Sequence, residues 1–433
     1  MPARRVAVGL LHAVLANRQP LDEALVSSRA AREMVGLAER DRGLARAIAS
    51  TALRRLGQID DVLGTFLEKG VPKRSGPLRD ILRAAVCQLL FLDMPAHAVI
   101  DLAVTQCKRD RNARHFDKLA NAVLRRVDDR GRKLVAAQDA ARLNTPEWLW
   151  ARLIAAYGED NTRRIAEAHL QQAPLDLSVK QNPDDWAKHL NGTALPTGSV
   201  RISHSGSIEK LKGFASGDWW VQDAAAALPA KLFGNVANKR IADLCAAPGG
   251  KTAQLAQAGA QVTAVDASEK RLERLAGNMD RLGLKVETVC ADAGAWRGEQ
   301  PFDAVLLDAP CTGTGTLRRH PDIAHLKSEQ DLAELTRLQA RLLRHATSLL
   351  QPGGMLVYCT CSLEREEGND QITDLLSESP GMRRAPIESV EFNGPKSWIT
   401  DEGDLRTLPF DLPADDTGMS GVDGFFAARL VMN

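Results

Sequence analysis

One repeating pattern limits what residues 218–433 can fold into: a short apolar run, a loop opening on an acidic or glycine-rich stretch, then an amphipathic helix. Strands are predicted at residues 241–244, 262–265, 286–290, 304–307 and 355–359, with helices from Thr252, over 269–282 and over 332–350. Pro352-Gly353-Gly354 predicts a turn between the last helix and the last strand. Strands alternating with helices build a mostly parallel sheet covered on both faces, an open α/β, Rossmann-like domain. In such sheets ligands sit beyond the carboxyl ends of the strands, and the distinctive residues of this chain cluster there.

The N-terminal part follows a different rule. Residues 3–135 read as helix almost throughout, with apolar positions at three- and four-residue spacing in Val6-Leu10-Val14 and Leu78-Leu82-Ala85-Leu89. Gly70 and Gly76-Pro77 mark breaks. Arg4-Arg5 before the apolar residues 6–16 imitates a short signal peptide, but the stretch fits an amphipathic first helix, with His12 interrupting the run. Residues 1–140 hold 25 Lys and Arg against 16 Asp and Glu, a charge of +9, and the remainder holds 31 against 39, or −8. A basic module beside an acidic remainder suits a polyanionic partner, although a solvated Arg-rich surface has the same composition. Charge is densest at Lys108-Arg109-Asp110-Arg111-Asn112-Ala113-Arg114, just before a helix predicted at 116–127.

A boundary is predicted near residues 139–145. Thr145-Pro146 suits a helix start, with Thr as N-cap and Pro in the first helical position. Pro174 ends the helical region, and Leu175-Asp176-Leu177-Ser178-Val179 alternates like a strand. Three parts result: an all-α domain at 1–140, a small α/β insert at 145–217, and the Rossmann-like domain at 218–433. An apolar share of 44% with 26% charged residues excludes global disorder. No apolar run approaches the ~20 residues of a membrane helix, so no membrane partner is expected. Seven cysteines without a regular framework read as reduced thiols of a cytoplasmic protein.

Cys245-Ala246-Ala247-Pro248-Gly249-Gly250-Lys251-Thr252 ends like a triphosphate-binding loop, but that motif needs Gly where Cys245 stands. The turn still offers backbone N–H groups and a helix N-terminus. Asp266, 16 residues after Gly250, ends the second strand and suits the two hydroxyls of a ribose. Asp292 after the third strand suits an adenine amino group, and Asp308 ends the fourth. A ribose and an adenine without a phosphate cradle describe an S-adenosylmethionine site.

Asp308-Ala309-Pro310-Cys311 and Thr360-Cys361-Ser362 close the fourth and fifth strands on the ligand side. Carbon 5 of a pyrimidine attacks a methyl sulfonium only after a thiolate has added to carbon 6, and a base must then remove the carbon-5 proton. Two thiols at one crevice suit addition and release. Cys87, Cys107, Cys290 and Cys245 read as small buried apolar residues. Cys359-x-Cys361 lacks the further ligands a metal needs.

These motifs, with Val221-Gln222-Asp223, Arg318-Arg319-His320-Pro321-Asp322, Tyr358-Cys359-Thr360-Cys361-Ser362 and Asp423-Gly424-Phe425-Phe426, resemble those of the RNA 5-methylcytosine methyltransferases. The N-terminal 140 residues look like a NusB-type RNA-binding domain, and the combination is similar to the bacterial 16S ribosomal RNA methyltransferase B family. The resemblance implies Cys361 as nucleophile and Cys311 as the group that assists product release. It implies that Cys245, Ala246, Ala247, Pro248, Gly249, Gly250, Lys251, Asp266, Asp292 and Asp308 bind S-adenosylmethionine, and that Asp308 also holds the cytosine edge. The implied substrate is 16S ribosomal RNA, and a monomer is expected. Ser178 and Lys180 depart from the Arg and Asn frequent in the family, and Cys359 stands where Ala is usual. Two other readings compete: a tRNA cytosine-5 methyltransferase, and a non-enzymatic RNA-binding assembly factor that uses the helical domain alone.

Overall fold

Three- and four-residue spacing of Leu, Val and Ala gives the N-terminal part helices whose inner faces share one core. The computed structural model describes residues 1–203 and 206–433, which divide into two compact units. The first comprises Met1–Leu170 and Arg319–Lys327, the second Gln171–Arg318 and Ser328–Asn433. The first unit holds α1 (Pro2–Leu15), α2 (Leu21–Ser27), α3 (Arg29–Val35), α4 (Glu39–Arg54), α5 (Leu56–Phe66), α6 (Leu78–Leu90), α7 (Ala96–Arg109), α8 (Asp117–Ala137), α9 (Ala140–Leu143) and α10 (Glu147–His169). Val6, Leu10 and Val14 of α1 and Leu78, Leu82, Ala85 and Leu89 of α6 are all buried in one cluster. Cys87 and Cys107 lie in the same core, where burial pushes both thiols up, Cys107 to about 11.

Two helix boundaries differ from the expectation. Thr145 does not cap α10, whose N-cap is Pro146. The Thr145 hydroxyl is buried and donates instead to the Ala141 carbonyl at 2.9 Å, closing α9 behind it. The arginine-rich segment leads into a longer helix than expected, α8, and leaves Arg109, Arg111 and Arg114 exposed. The segment Arg319–Lys327 belongs to this helical unit: Asp322 Oδ2 accepts the Leu21 N–H at 2.9 Å, and His325 Nε2 meets the Leu53 carbonyl at 2.8 Å.

Among the described residues the second unit holds two sheets. β1 (Leu175–Val179), α11 (Pro183–His189), β2 (Thr193–Ala194), β3 (Ser199–Ile202) and β4 (Trp219–Val221) form an antiparallel sheet in the order β2-β3-β1-β4. The larger sheet is built from β5 (Arg240–Leu244), α12 (Gly250–Gln257), β6 (Gln261–Asp266), α13 (Glu269–Leu282), β7 (Glu287–Cys290) and β8 (Phe302–Asp308). After α14 (Ile323–Leu326), which is part of the helical unit, come α15 (Glu329–Thr347), β9 (Leu350–Thr360), α16 (Asn369–Glu378), β10 (Met382–Arg384), β11 (Leu405–Thr407) and β12 (Phe425–Met432). The order is β10-β12-β9-β8-β5-β6-β7, with β11 against β12. Strands β5 to β9 run parallel, and β12 adds antiparallel beside β9.

Pro352-Gly353-Gly354 is not a separate turn but lies inside β9. Leu350 already pairs with Phe302, and the register shifts before Ala304 pairs with Met355, so a bulge absorbs the glycines. The same pairing stops α15 at Thr347, short of the expected 350. Cys290 also departs from expectation. It is exposed, because β7 is an edge strand.

Candidate active site

Beyond β5 the chain turns outward through β6 and β7, then returns to the other side of β5 as β8 and β9. The order therefore reverses between β5 and β8, and their carboxyl ends flank the crevice where open α/β sheets bind ligands. The turn after β5 ends on Gly249 at φ 100°, the N-cap of α12. A Cβ there would also come within 2.9 Å of Leu275 Cγ, so both conformation and space demand glycine. Burial pushes the Cys245 thiol up to about 12, with Asp308, Asp266 and Asp243 adding to the shift.

Carboxylates surround this turn. Asp266 is 2% exposed and pins the backbone, accepting Ala247 N at 3.2 Å and Ser268 N at 3.0 Å, with Arg271 at 3.4 Å. Asp243, the penultimate residue of β5, was not singled out from the sequence. It accepts from Thr252 Oγ1 at 2.6 Å through Oδ2, while its buried Oδ1 has no partner. Burial pushes its carboxyl up to about 7. Asp292 lies two residues beyond β7, half exposed, and accepts from Arg341 at 2.7 and 3.3 Å and from Gly294 N at 2.9 Å. Arg341 and the Gly294 N–H hold that carboxyl below its usual range.

At the end of β8, Asp308 Oδ2 accepts the buried Lys251 ammonium at 2.7 Å. Burial works against that ammonium, but the charge and hydrogen bond of Asp308 outweigh it and hold Lys251 above the ordinary lysine range. Asp308 Oδ1 lies 3.5 Å from the Cys359 sulfur. Cys359 is the register neighbour of Asp308 on β9 and is fully buried; burial and Asp308 keep it a thiol. The unusual cysteine thus supplies a donor to the carboxylate face that Lys251 leaves free.

The two loop cysteines meet. Cys311 Sγ and Cys361 Sγ are 3.4 Å apart. The hydrogen bond with Cys361, burial and the charges of Cys361 and Glu367 hold the Cys311 thiol well above its ordinary range. The loops are tied by backbone as well: Gly315 N donates to the Cys361 carbonyl at 3.0 Å, and Gly424 N to the Gly315 carbonyl at 2.8 Å. A Cβ on Gly315 would stand 1.9 Å from the Gly424 oxygen, and one on Gly424 would stand 2.9 Å from Gly315 Cα, so both positions demand glycine.

Several residues that organise the site escaped the sequence. Glu367, wholly buried, and Gln339 on α15 bind the loop around Cys311. Glu367 sits in the run Glu364-Arg365-Glu366-Glu367, which reads as a solvated charge cluster; only the three-residue spacing of its buried members, Glu364 and Glu367, sets it apart. Ser178 and Lys180 are engaged internally. Ser178 Oγ donates to Gln222 Oε1 at 2.7 Å, and Lys180 Nζ donates to the Leu282 carbonyl. Gln222 also takes the Trp220 indole N–H at 2.8 Å and donates to Gln254 at 2.8 Å, so the Val221-Gln222-Asp223 motif braces α12 from behind.

Comparison with known proteins decides the family. Residues 231–431 match the model of the 16S rRNA methyltransferase RsmB/F family, and residues 1–129 match the NusB family. The ribosomal RNA small subunit methyltransferase B of Klebsiella pneumoniae subsp. pneumoniae is 33% identical over 412 residues, covering 91% of each chain. That of Salmonella paratyphi B is also 33% identical, with the same coverage. The chain belongs to the RsmB/F family of 16S rRNA methyltransferases. Among solved structures, a methyltransferase homologue from Pyrococcus horikoshii is 29% identical and aligns at a TM-score of 0.54, over 65% of this chain and 94% of that one. PH0851 aligns over 99% and 98% at a TM-score of 0.74, a likeness of fold alone at 24% identity. As an RsmB/F member the chain is a methyltransferase with a NusB domain, and among its described residues no helix is long and apolar enough to cross a membrane.

Proposed function

We propose that this chain transfers a methyl group from S-adenosylmethionine to carbon 5 of a cytosine in 16S ribosomal RNA, with Cys361 as nucleophile and Cys311 as the base that releases the product. The observation that carries this reading is the 3.4 Å contact between the two sulfurs, at the ends of adjacent strands. A pair of thiols in contact shares its protons unequally. The neighbouring sulfur, burial and the charge of Glu367 push the Cys311 thiol up, which supports Cys311 as the proton-transfer group and Cys361 as the nucleophile.

The residues at the turn fit the cofactor. They combine the N-terminus of α12, the carboxylates Asp266, Asp292 and Asp308, and a buried Asp243 oxygen without a partner. This is an acceptor-rich lining for a cation that also carries hydroxyls and an amino group. When bound, S-adenosylmethionine supplies a methyl group on a positively charged sulfur. The Cys361 thiolate adds to carbon 6 of the cytosine; a C–S bond forms and the electron pair shifts to carbon 5, which takes the methyl. Once Cys361 is bonded to carbon its charge is gone, and Cys311 loses the neighbour that held its proton. Cys311 then gives that proton to solvent and takes the proton of carbon 5. The ring double bond re-forms, Cys361 leaves as thiolate, and one proton is released per turnover. Asp308, held by Lys251 and Cys359, would accept from the amino group of the cytosine.

Asp266→Ala is expected to weaken cofactor binding by about 1–3 kcal/mol, the cost of removing a charge-assisted hydrogen bond. It should also lower the melting temperature, because Ala247 N and Ser268 N lose their acceptor. Calorimetry showing unchanged affinity in a folded variant would remove Asp266 from the site.

The helical unit would bind phosphates of the RNA backbone. Replacing the exposed Arg109, Arg111 and Arg114 by Gln should reduce the salt dependence of RNA binding by about 0.7–0.9 in log–log slope for each phosphate that is no longer neutralised. An unchanged slope would mean that this charge is only a solvated surface. The function itself is tested by incubating the protein with methyl-labelled cofactor and either deproteinised 16S rRNA or tRNA. Label is expected in 5-methylcytosine of the rRNA. Label in tRNA alone would transfer the chemistry to the other substrate, and none in either would leave an RNA-binding factor.

A further inference from the structure

Cys311 lies between two residues that are each held from outside its loop. Gln339 Nε2 on α15 donates to the Pro310 carbonyl at 2.8 Å and to Glu367 Oε1 at 2.9 Å. Glu367 accepts the Thr312 N–H at 2.9 and 3.2 Å and the Thr312 hydroxyl at 2.5 Å. Its own carbonyl accepts the hydroxyls of Tyr358 at 2.8 Å and Thr360 at 3.2 Å, the residues of β9 that lead into Cys361. Glu367 is wholly buried, and none of these partners is a cation. We propose that Glu367 is a positioning residue: with Gln339 it fastens the loop carrying Cys311 to the strand that ends at Cys361, and so keeps the two sulfurs in contact. The catalytic meaning of that contact rests on the function proposed above, but the contact can be read without methyl transfer. The charge of Glu367 has a second consequence, since it is among the causes that keep Cys311 protonated.

The test is the rate at which diamide joins Cys311 to Cys361 in the full-length protein, followed by mass spectrometry of the linked peptides. The two thiols give up two protons and two electrons as the S–S bond forms, and the diamide takes them up. Glu367→Ala is expected to slow linking at least ~10-fold, because small displacements of reacting atoms carry penalties of that order. Glu367→Gln should stay within about threefold of the native rate. Its amide oxygen can accept from Thr312 N and Gln339, while its NH₂ donates to the Thr312 hydroxyl. Without the charge, alkylation of Cys311 by iodoacetamide in Glu367→Gln should reach its half-maximal rate at lower pH, which loosened packing alone would not produce. In turnover, Glu367→Ala should lower kcat and leave KM for RNA unchanged. Should Glu367→Ala not fold, Gln339→Leu takes its place and is expected to slow linking about threefold or more. Native linking rates in a folded Glu367→Ala or in Gln339→Leu would overturn the proposal, as would Glu367→Gln linking as slowly as the alanine variant. A native protein that links its thiols fast yet methylates nothing would sink the function and leave this role of Glu367 standing.

Discussion

Cys361→Ser is expected to lower methyl transfer to 16S rRNA by at least ~10⁴-fold, since it replaces a thiolate by a hydroxyl that stays protonated near neutral pH. The loss should be chemical and not structural. Serine is nearly isosteric, and what fastens this position is the Cys361 carbonyl, which accepts from Gly315 N at 3.0 Å whatever the side chain. Neither methylated product nor a covalent protein–RNA species should form in a single turnover. Cofactor affinity by calorimetry and the melting temperature should match the native protein. A serine variant that retained a tenth of the native rate would remove Cys361 from the nucleophile's role.

Cys311→Ser fails in the opposite way. The nucleophile is intact, so addition and methyl transfer proceed once, and the adduct then waits for a base. Multiple-turnover rate should fall by about 10²–10⁴-fold, the usual contribution of a positioned proton-transfer group. A protein–RNA species stable in denaturing gels should accumulate to near stoichiometry. Related chemistry on DNA uses the cysteine after proline as nucleophile, and by position alone Cys311 is its counterpart. The neighbouring sulfur and the charge of Glu367, which holds Thr312 beside it, both push the Cys311 thiol up, and this supports the other assignment. A trapped species in Cys361→Ser and none in Cys311→Ser would reverse the roles.

What could be read from the chain follows from how local each signal is. Short apolar runs bounded by turn signals placed β5, β6 and β8, and a three-to-four-residue period placed the whole of α13. Cys245 to Lys251, Asp308, Cys311 and Cys361 stood out as a cluster at the carboxyl ends of strands, and the structure brings Lys251 to Asp308 and Cys311 to Cys361. Residues that act by burial escaped. Asp243 sits between Ala242 and Leu244 near the end of a strand, and Glu367 hides in a charged run; only the fold tells which carboxylate turns inward. Thr145 was read as a cap because Thr-Pro has that local geometry, yet a tertiary position let its hydroxyl bond backward to Ala141. The antiparallel strand β12 was visible only as the motif Asp423-Gly424-Phe425-Phe426, since Phe425 to Ala428 are buried in succession and leave no alternation to read. The arrest of α15 at Thr347 depended on pairing with Phe302, more than forty residues earlier.

The central claim is that Cys361 bonds to carbon 6 of a cytosine in 16S rRNA on the way to a methylated carbon 5. The most direct test supplies 16S rRNA in which cytidine is replaced by 5-fluorocytidine. Fluorine at carbon 5 cannot leave as a proton does, so the adduct formed after methyl transfer has no route to release. With the native protein and S-adenosylmethionine, a covalent complex should form, and digestion followed by mass spectrometry should find a methylated fluorocytosine on the peptide containing Cys361. A nucleotide on the Cys311 peptide, or no adduct from an RNA that the protein methylates in its unsubstituted form, would contradict it.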